Sequence, residues 1–327
     1  MKDLRDDDII QLEFETIRVE ISTLGACIRD LMVRSGDGTW ISVVLKYPDS
    51  KDYIKDPLYL GSTVGRFANR IKRGKFQIGK NTQQVDVNWK EHHLHGGFDG
   101  LNIQNWELFE IQDNAENKSI HLRYHSESGE GGFVGDVIFD VVYTLNKEGI
   151  LSIKYSGVAS ELTPINLTNH SYFNLNGSAD IPVDNHLFEI SSGQVLEVDQ
   201  DLIPTGALLD YQELWPDMKA DETMSLGNLI KERPFDTCFL MNRKNYFCSL
   251  MSPLTGIKME VSSSLPAMQL YSPKFGGQST YFKDTGFSAF CIEPGYCPDN
   301  LNHENFQKSL FDATHPYQGE ISYSFSF

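Results

Sequence analysis

Apolar and polar residues alternate with a period of two along much of the chain, the mark of half-buried β-strands. Ile120, Leu122 and Tyr124 are separated by His121 and Arg123, and the same spacing recurs in Leu151, Ile153, Tyr155 and in Ile257, Met259, Val261. At the C-terminus Ile321, Tyr323, Phe325 and Phe327 alternate with Ser322, Ser324 and Ser326. Helical periodicity is scarce, and the one stretch read as a short helix is Asn300 to Phe311. Strands punctuated by Gly, Asn, Asp and Pro predict an all-β fold, a large antiparallel β-sandwich. The cluster Gly129-Glu-Gly-Gly-Phe-Val-Gly135 is followed by an alternating stretch, Val137 to Leu145. With a strand after it and not a helix, it reads as a wide turn rather than a nucleotide-binding loop. No low-complexity linker, fixed-period repeat or long block of like charge interrupts the pattern, so residues 1–327 read as a single domain.

Composition narrows the partners. A net charge of −17 over 327 residues repels phosphate backbones and anionic membranes, which argues against nucleic acid and leaves neutral ligands open. The first twenty residues hold three consecutive aspartates and no apolar core of a secretory signal, and no run of about 18 apolar residues suggests a membrane span. A soluble, cytoplasmic protein is expected. The five cysteines, Cys27, Cys238, Cys248, Cys291 and Cys297, are odd in number and form no CxxC pair. They read as reduced thiols, and a zinc site built on thiolates is not expected.

Three segments combine polar chemistry with strand context. In His92-His93-Leu94-His95-Gly96-Gly97, clustered histidines raise a cupin-like metal site, but no matching carboxylate or second histidine-rich strand accompanies them. A histidine before two glycines fits a tight turn where backbone approaches a ligand. The stretch Pro164 to Leu175 packs Asn166, Thr168, Asn169, His170, Ser171 and Asn174 between apolar residues, either as a polar network lining a pocket or as turn-forming asparagines with a surface histidine. Glu293 ends an apolar run and is followed by Pro294 and Gly295. At a buried strand end its carboxyl would be partly desolvated and more basic, whereas in solvent it would be unremarkable. Asn69 and Arg70 follow Gly61-Ser-Thr-Val-Gly-Arg-Phe-Ala, where the arginine would grip a ligand hydroxyl or brace a carboxylate, and Asp236 is a candidate acceptor. Phe133, Trp106 and Tyr296 are candidate platforms for a sugar ring.

The elements GSTVGRFANRIKRGKF, LHGG, GLNIQNW, SGEGGFVGDVIFDVVYTL, TPINLTNHSYFNL, LIPTG, PFDTCF and IEPGYCPDNLN, in this order, resemble those of the aldose 1-epimerases, from about Gly25 to Asn302. The resemblance implies a galactose mutarotase-like supersandwich that interconverts the α and β anomers of a free aldohexose such as galactose or glucose, without cofactor or metal. It implies Glu293 as base, His170 as acid and His95 as a group polarising the reacting centre. Arg70, Asn69, Asp236 and Gln269 are implied as sugar-binding residues. On reference values the glutamate starts ionised, and the histidine can hold or give a proton at neutral pH. Two departures from the family's pattern, Thr237 beside Asp236 and Gly295 in place of a more usual residue after Glu293-Pro294, bear on sugar preference. Three readings compete: a non-catalytic carbohydrate-binding protein on the same scaffold, a metal-dependent cupin-like isomerase, and a relative acting on sugar phosphates, which the acidic charge disfavours. A monomer or homodimer with a small-molecule sugar as its partner is expected.

Overall fold

The computed structural model describes residues 8–241, 247–275, 282 and 286–327. Its largest sheet has nine antiparallel strands running spatially from Glu107–Asp113 through Asn117–Ser126, Val137–Asn146, Ile150–Ala159, Tyr317–Ser326, Lys258–Ser263, Cys248–Met251 and Leu187–Ile190 to Met224–Ser225. The expected alternation is visible in its burial. Leu151, Ile153 and Tyr155 face the core, as do Ile120, Leu122, Met259, Val261, Ile321 and Tyr323. The pattern fades at the chain end, where Phe327 is exposed. A second sheet of six strands carries the chemistry: Tyr172–Phe173, Phe290–Gly295, Ala267–Tyr271, Asp236–Met241, Ser192–Val198 and Pro204–Asp210. A four-stranded sheet from Ile9 to Ser42 packs into the same apolar cluster, which runs from Leu12 to Tyr323. Each fully buried Phe or Leu in such a cluster is worth about 1.5–3 kcal/mol relative to exposure. Among the described residues no helix is long and apolar enough to cross a membrane.

The glycine cluster is indeed a turn into a strand. Arg66 holds it from within: the buried guanidinium donates to Ser126 Oγ and to the carbonyls of Ser126, Glu127, Val134 and Gly135. The strand that follows is Val137–Asn146.

The helix expected from Asn300 to Phe311 does not form. A single 3-10 turn, Asn300–Asn302, is followed by irregular chain and a two-residue strand, Leu310–Phe311. Side chains have taken the backbone groups that a helix needs. Asn300 donates to the Cys297 carbonyl and accepts from the Ser309 amide. Lys308 Nζ donates to the carbonyls of Asn300, Leu301 and His303. The one α-helix among the described residues is Leu226–Glu232, with Ser225 as its N-cap.

Candidate active site

Strand register builds the floor of the site. Tyr172 pairs with Cys291, Cys291 with Tyr271, and Tyr271 with Asp236. Two residues further along, Glu293 pairs with Gln269 and Gln269 with Cys238. Cross-strand partners share a face, and so do residues two apart on one strand. The six-stranded sheet therefore presents one row of Tyr172, Cys291, Tyr271 and Asp236, and a second row containing Glu293, Gln269 and Cys238. His170, two residues before Tyr172, extends the second row, and its Nε2 lies 3.6 Å from Glu293 Oε2.

One wall comes from two short strands, Arg70–Ile71 and His93–Leu94, in which Arg70 pairs with Leu94. Asn69 and His95 sit just outside that pairing, both in the left-handed region with φ of 68° and 51°. The Asn69 amide donates to His95 Nδ1 at 3.2 Å, which leaves the His95 proton on Nε2. Gly96 and Gly97 continue at φ of 93° and 88°. The glycine is needed for an approach to protein backbone rather than to a ligand, since a Cβ on Gly96 would stand 1.8 Å from the Gly65 carbonyl oxygen.

Arg70 bridges wall and floor. Its NH1 donates to Asn69 Oδ1 at 3.2 Å and its NH2 reaches Asp236 Oδ2 at 3.3 Å. Gln269 donates to the other Asp236 oxygen at 2.6 Å. The arginine thus braces a carboxylate, the second of the two roles expected for it. Its guanidinium carbon lies over the Trp89 ring, 4.7 Å from the ring centre. Together these groups enclose a cleft of about 680 Å³, open mouth included, lined by all seven site residues expected from the sequence: Asn69, Arg70, His95, His170, Asp236, Gln269 and Glu293.

Burial sets the electrostatics. The Glu293 carboxyl is pushed up to about 8, by desolvation first and by Asp236 second, with Arg70 opposing. His170 is pushed down to about 4 by desolvation. His95 falls well below the usual histidine range through burial, then through His170 and Arg70. His95 is thus a neutral donor through Nε2. Desolvation disfavours both charges, so, against the ionised glutamate expected from reference values, burial favours the proton on the carboxyl.

Several expectations take a different place. Phe133 packs with Phe67 and Phe76, and Trp106 is buried in the main core. Tyr296 packs on Phe311 and Tyr317, so none of the three lines the cleft. The aromatics that do are Tyr59, Trp89, Tyr172 and Tyr271. Tyr172 stacks on His170 with 5.0 Å between centroids, and Tyr59 lies 4.7 Å from His95. No local signal marked them, because distant segments bring them together. The His92–His95 group does not converge: His93 bonds the Asp86 carbonyl and the Gly96 amide, and His92 accepts from the Arg73 amide. The asparagines of 166–174 act as braces, and Asn166 with Thr168 also lines a small pocket beside Glu293 and Gln269 rather than the cleft. Asn169 donates to the Gly61 carbonyl, and Asn174 to those of Ser178, Ile181 and Ser288. Of that segment His170 and Tyr172 line the cleft. Thr237 is one residue from Asp236 and so points to the opposite face of the sheet from that cleft-lining carboxylate. Gly295 instead makes room for Asn166 Oδ1, 3.1 Å from where its Cβ would be.

The aldose 1-epimerase family matches residues 8–324. The chain belongs to this family. Galactose mutarotase from Homo sapiens is 30% identical over 326 residues, covering 97% of this chain and 93% of that protein. Aldose 1-epimerase from Haemophilus influenzae is 30% identical over 292 residues, covering 82% and 84%. The solved aldose epimerase homologue from C. elegans superposes with a TM-score of 0.89 at 26% identity, covering 98% of this chain and 99% of that one. The protein is an aldose 1-epimerase, an isomerase of carbohydrates on a galactose mutarotase-like β fold.

Proposed function

We propose that Glu293 and His170 open and reclose the ring of a free aldohexose, with galactose the first sugar to test because the curated relatives include galactose mutarotases. The observation that carries this reading is the buried Glu293–His170 pair, 3.6 Å apart, with burial pushing the carboxyl up to about 8 and the imidazole down to about 4. Ring opening needs one proton on the pair. The carboxylate takes the proton of the C1 hydroxyl, the imidazolium gives its proton to the ring oxygen, and the C1–O5 bond breaks to leave an aldehyde. The pair is then a carboxylic acid beside a neutral imidazole, the form that burial favours. Rotation about C1–C2 and reversal of both transfers close the other anomer.

The reactive form has the shared proton on His170; burial opposes that form, and the attraction between the two charges at 3.6 Å supports it. His95, a neutral donor, steadies the charge developing around C1 and O5. Arg70, Asn69, Asp236 and Gln269 bind hydroxyls away from the reacting centre. Residues 1–327 act as one catalytic domain. The charge of −17 and five buried thiols fit a cytoplasmic monomer or homodimer.

The test is polarimetry on freshly dissolved α-D-galactose and α-D-glucose, with and without a chelator. The expected result is a faster approach to equilibrium rotation that the chelator leaves unchanged. Saturable sugar binding without acceleration would assign a binding protein instead, and loss of rate with chelator a metal-dependent isomerase.

A further inference from the structure

Cys291 stands in the floor beside the acid–base pair and has no part in the proposed proton transfers. It is two residues before Glu293 on the same strand, so both side chains leave the sheet on the cleft side. One nitrogen of His170, the Cys291 sulfur and one oxygen of Glu293 all lie within 4.8 Å of one another, and all three residues are buried. His170 Nδ1 has no hydrogen-bond partner among the described residues.

Sulfur, imidazole nitrogen and carboxylate oxygen form the donor set of a thiophilic cation with a borderline preference, not of Mg²⁺ or Ca²⁺. Zinc bonds of about 2.3 Å to sulfur and 2.0–2.2 Å to nitrogen and oxygen place tetrahedral ligands roughly 3.3–3.8 Å apart. The 3.6 Å between His170 and Glu293 already falls in that range. The widest separation in the trio, at most 4.8 Å, closes by about 1 Å, within reach of side-chain rotation. Three protein ligands leave a fourth position open, and two of the three, His170 and Glu293, line the cleft.

We propose that His170, Cys291 and Glu293 form an inhibitory site for Zn²⁺ in the catalytic floor. The ion occupies the space of the sugar's C1 and O5 and locks both proton carriers as ligands. Binding expels the thiol proton and the proton shared by the pair, two in all, to solvent, so it tightens as pH rises. Inhibition rests on the proposed roles of Glu293 and His170, whereas metal binding does not.

Two measurements separate these. Titration of the intact protein with Co²⁺, a spectroscopic stand-in for zinc, is expected to give a thiolate-to-metal charge-transfer absorption with one ion per chain, displaced by galactose and lost in Cys291→Ser. Mutarotation of galactose is expected to be inhibited by micromolar Zn²⁺ competitively with sugar, restored by chelator and indifferent to Mg²⁺. Cys291→Ser should raise the half-inhibiting Zn²⁺ concentration more than tenfold, and Cys297→Ser should leave it unchanged. Absence of the Co²⁺ band in the wild-type protein, or Zn²⁺ inhibition untouched by Cys291→Ser, overturns the site. Should that variant not fold, the wild-type Co²⁺ band and its displacement by galactose still decide. A protein that binds Co²⁺ with the band but never accelerates mutarotation keeps the metal site and refutes the acid–base reading.

Discussion

Replacing Glu293 by glutamine should destroy activity and, at neutral and alkaline pH, make the protein more stable. The carboxyl accepts no hydrogen bond among the described residues, and glutamine keeps its shape, so little packing is lost. What changes is the charge that folding must bury. In the folded state the carboxyl is raised from 4.5 to about 8, so folded protein binds more protons than unfolded protein between those limits. The cost of ionising the buried group is absent below pH 4.5, grows as pH rises, and is complete above pH 8. At 1.36 kcal/mol per pH unit it reaches ~3 kcal/mol at pH 7 and ~5 kcal/mol by pH 9. Glutamine carries no such cost, so Glu293→Gln should gain those amounts over wild type and gain nothing at pH 4. Turnover, measured by polarimetry on the same samples, should fall about 10²–10⁴-fold. Urea unfolding of both proteins at pH 4.5, 7 and 9 reads the difference directly. A stability difference that stays flat with pH, or a variant less stable than wild type at pH 9, would refute the claim that desolvation governs this carboxyl.

The pH profile of kcat/KM should be a bell whose acid limb lies near 4, where a second proton reaches the pair and removes the base, and whose alkaline limb lies near 8, where the last proton leaves and removes the acid. A profile flat from pH 6 to 10 contradicts this. Trp89 fixes the plane of Arg70, so Trp89→Leu should raise KM with kcat nearly unchanged, by about 2–30-fold for the 0.5–2 kcal/mol of a cation–π contact, while Trp89→Phe restores much of it. Equal behaviour of Leu and Phe in steady-state kinetics would leave the ring a spacer only. Gly96→Ala forces a Cβ against the Gly65 carbonyl and should cost about 2–4 kcal/mol in thermal or urea unfolding. Gly79→Ala, also at positive φ but in open space, should cost only about 1 kcal/mol.

Strands whose two faces differ were legible in the sequence, because burial on one face writes itself as period-2 alternation in stretches such as 151–155 and 321–325. The segment 300–311 was not, since its conformation is decided by side-chain bonds from Asn300 and Lys308 that no periodicity records. The seven cleft residues came through family resemblance, and their own chemistry alone left Glu293 and His170 close to ordinary readings. The asparagines of 166–174 announced a polar network correctly but not its purpose, which is to satisfy carbonyls of neighbouring loops. Trp89, Tyr59, Tyr172 and Tyr271 carry no mark of function in the sequence, where an aromatic in the core and one in a wall look alike. The direction of charge in the Glu293–His170 pair was also hidden, because reference values hold for water and both groups are out of it.

The two rows of the floor have a consequence for how the protein is made. Glu293, Cys291, Gln269, Tyr271 and Asp236 face the cleft only because three strands hold one alignment. Sliding the Phe290–Gly295 strand by a single residue would turn Ile292 and Pro294 to the sugar and bury Glu293 on the other side, with backbone pairing otherwise regular. Such a molecule would pass as β-sheet by circular dichroism yet do no chemistry at all. Mutarotation recovered during refolding therefore counts correctly aligned molecules, and any lag behind recovered sheet signal measures the time spent correcting slipped strands.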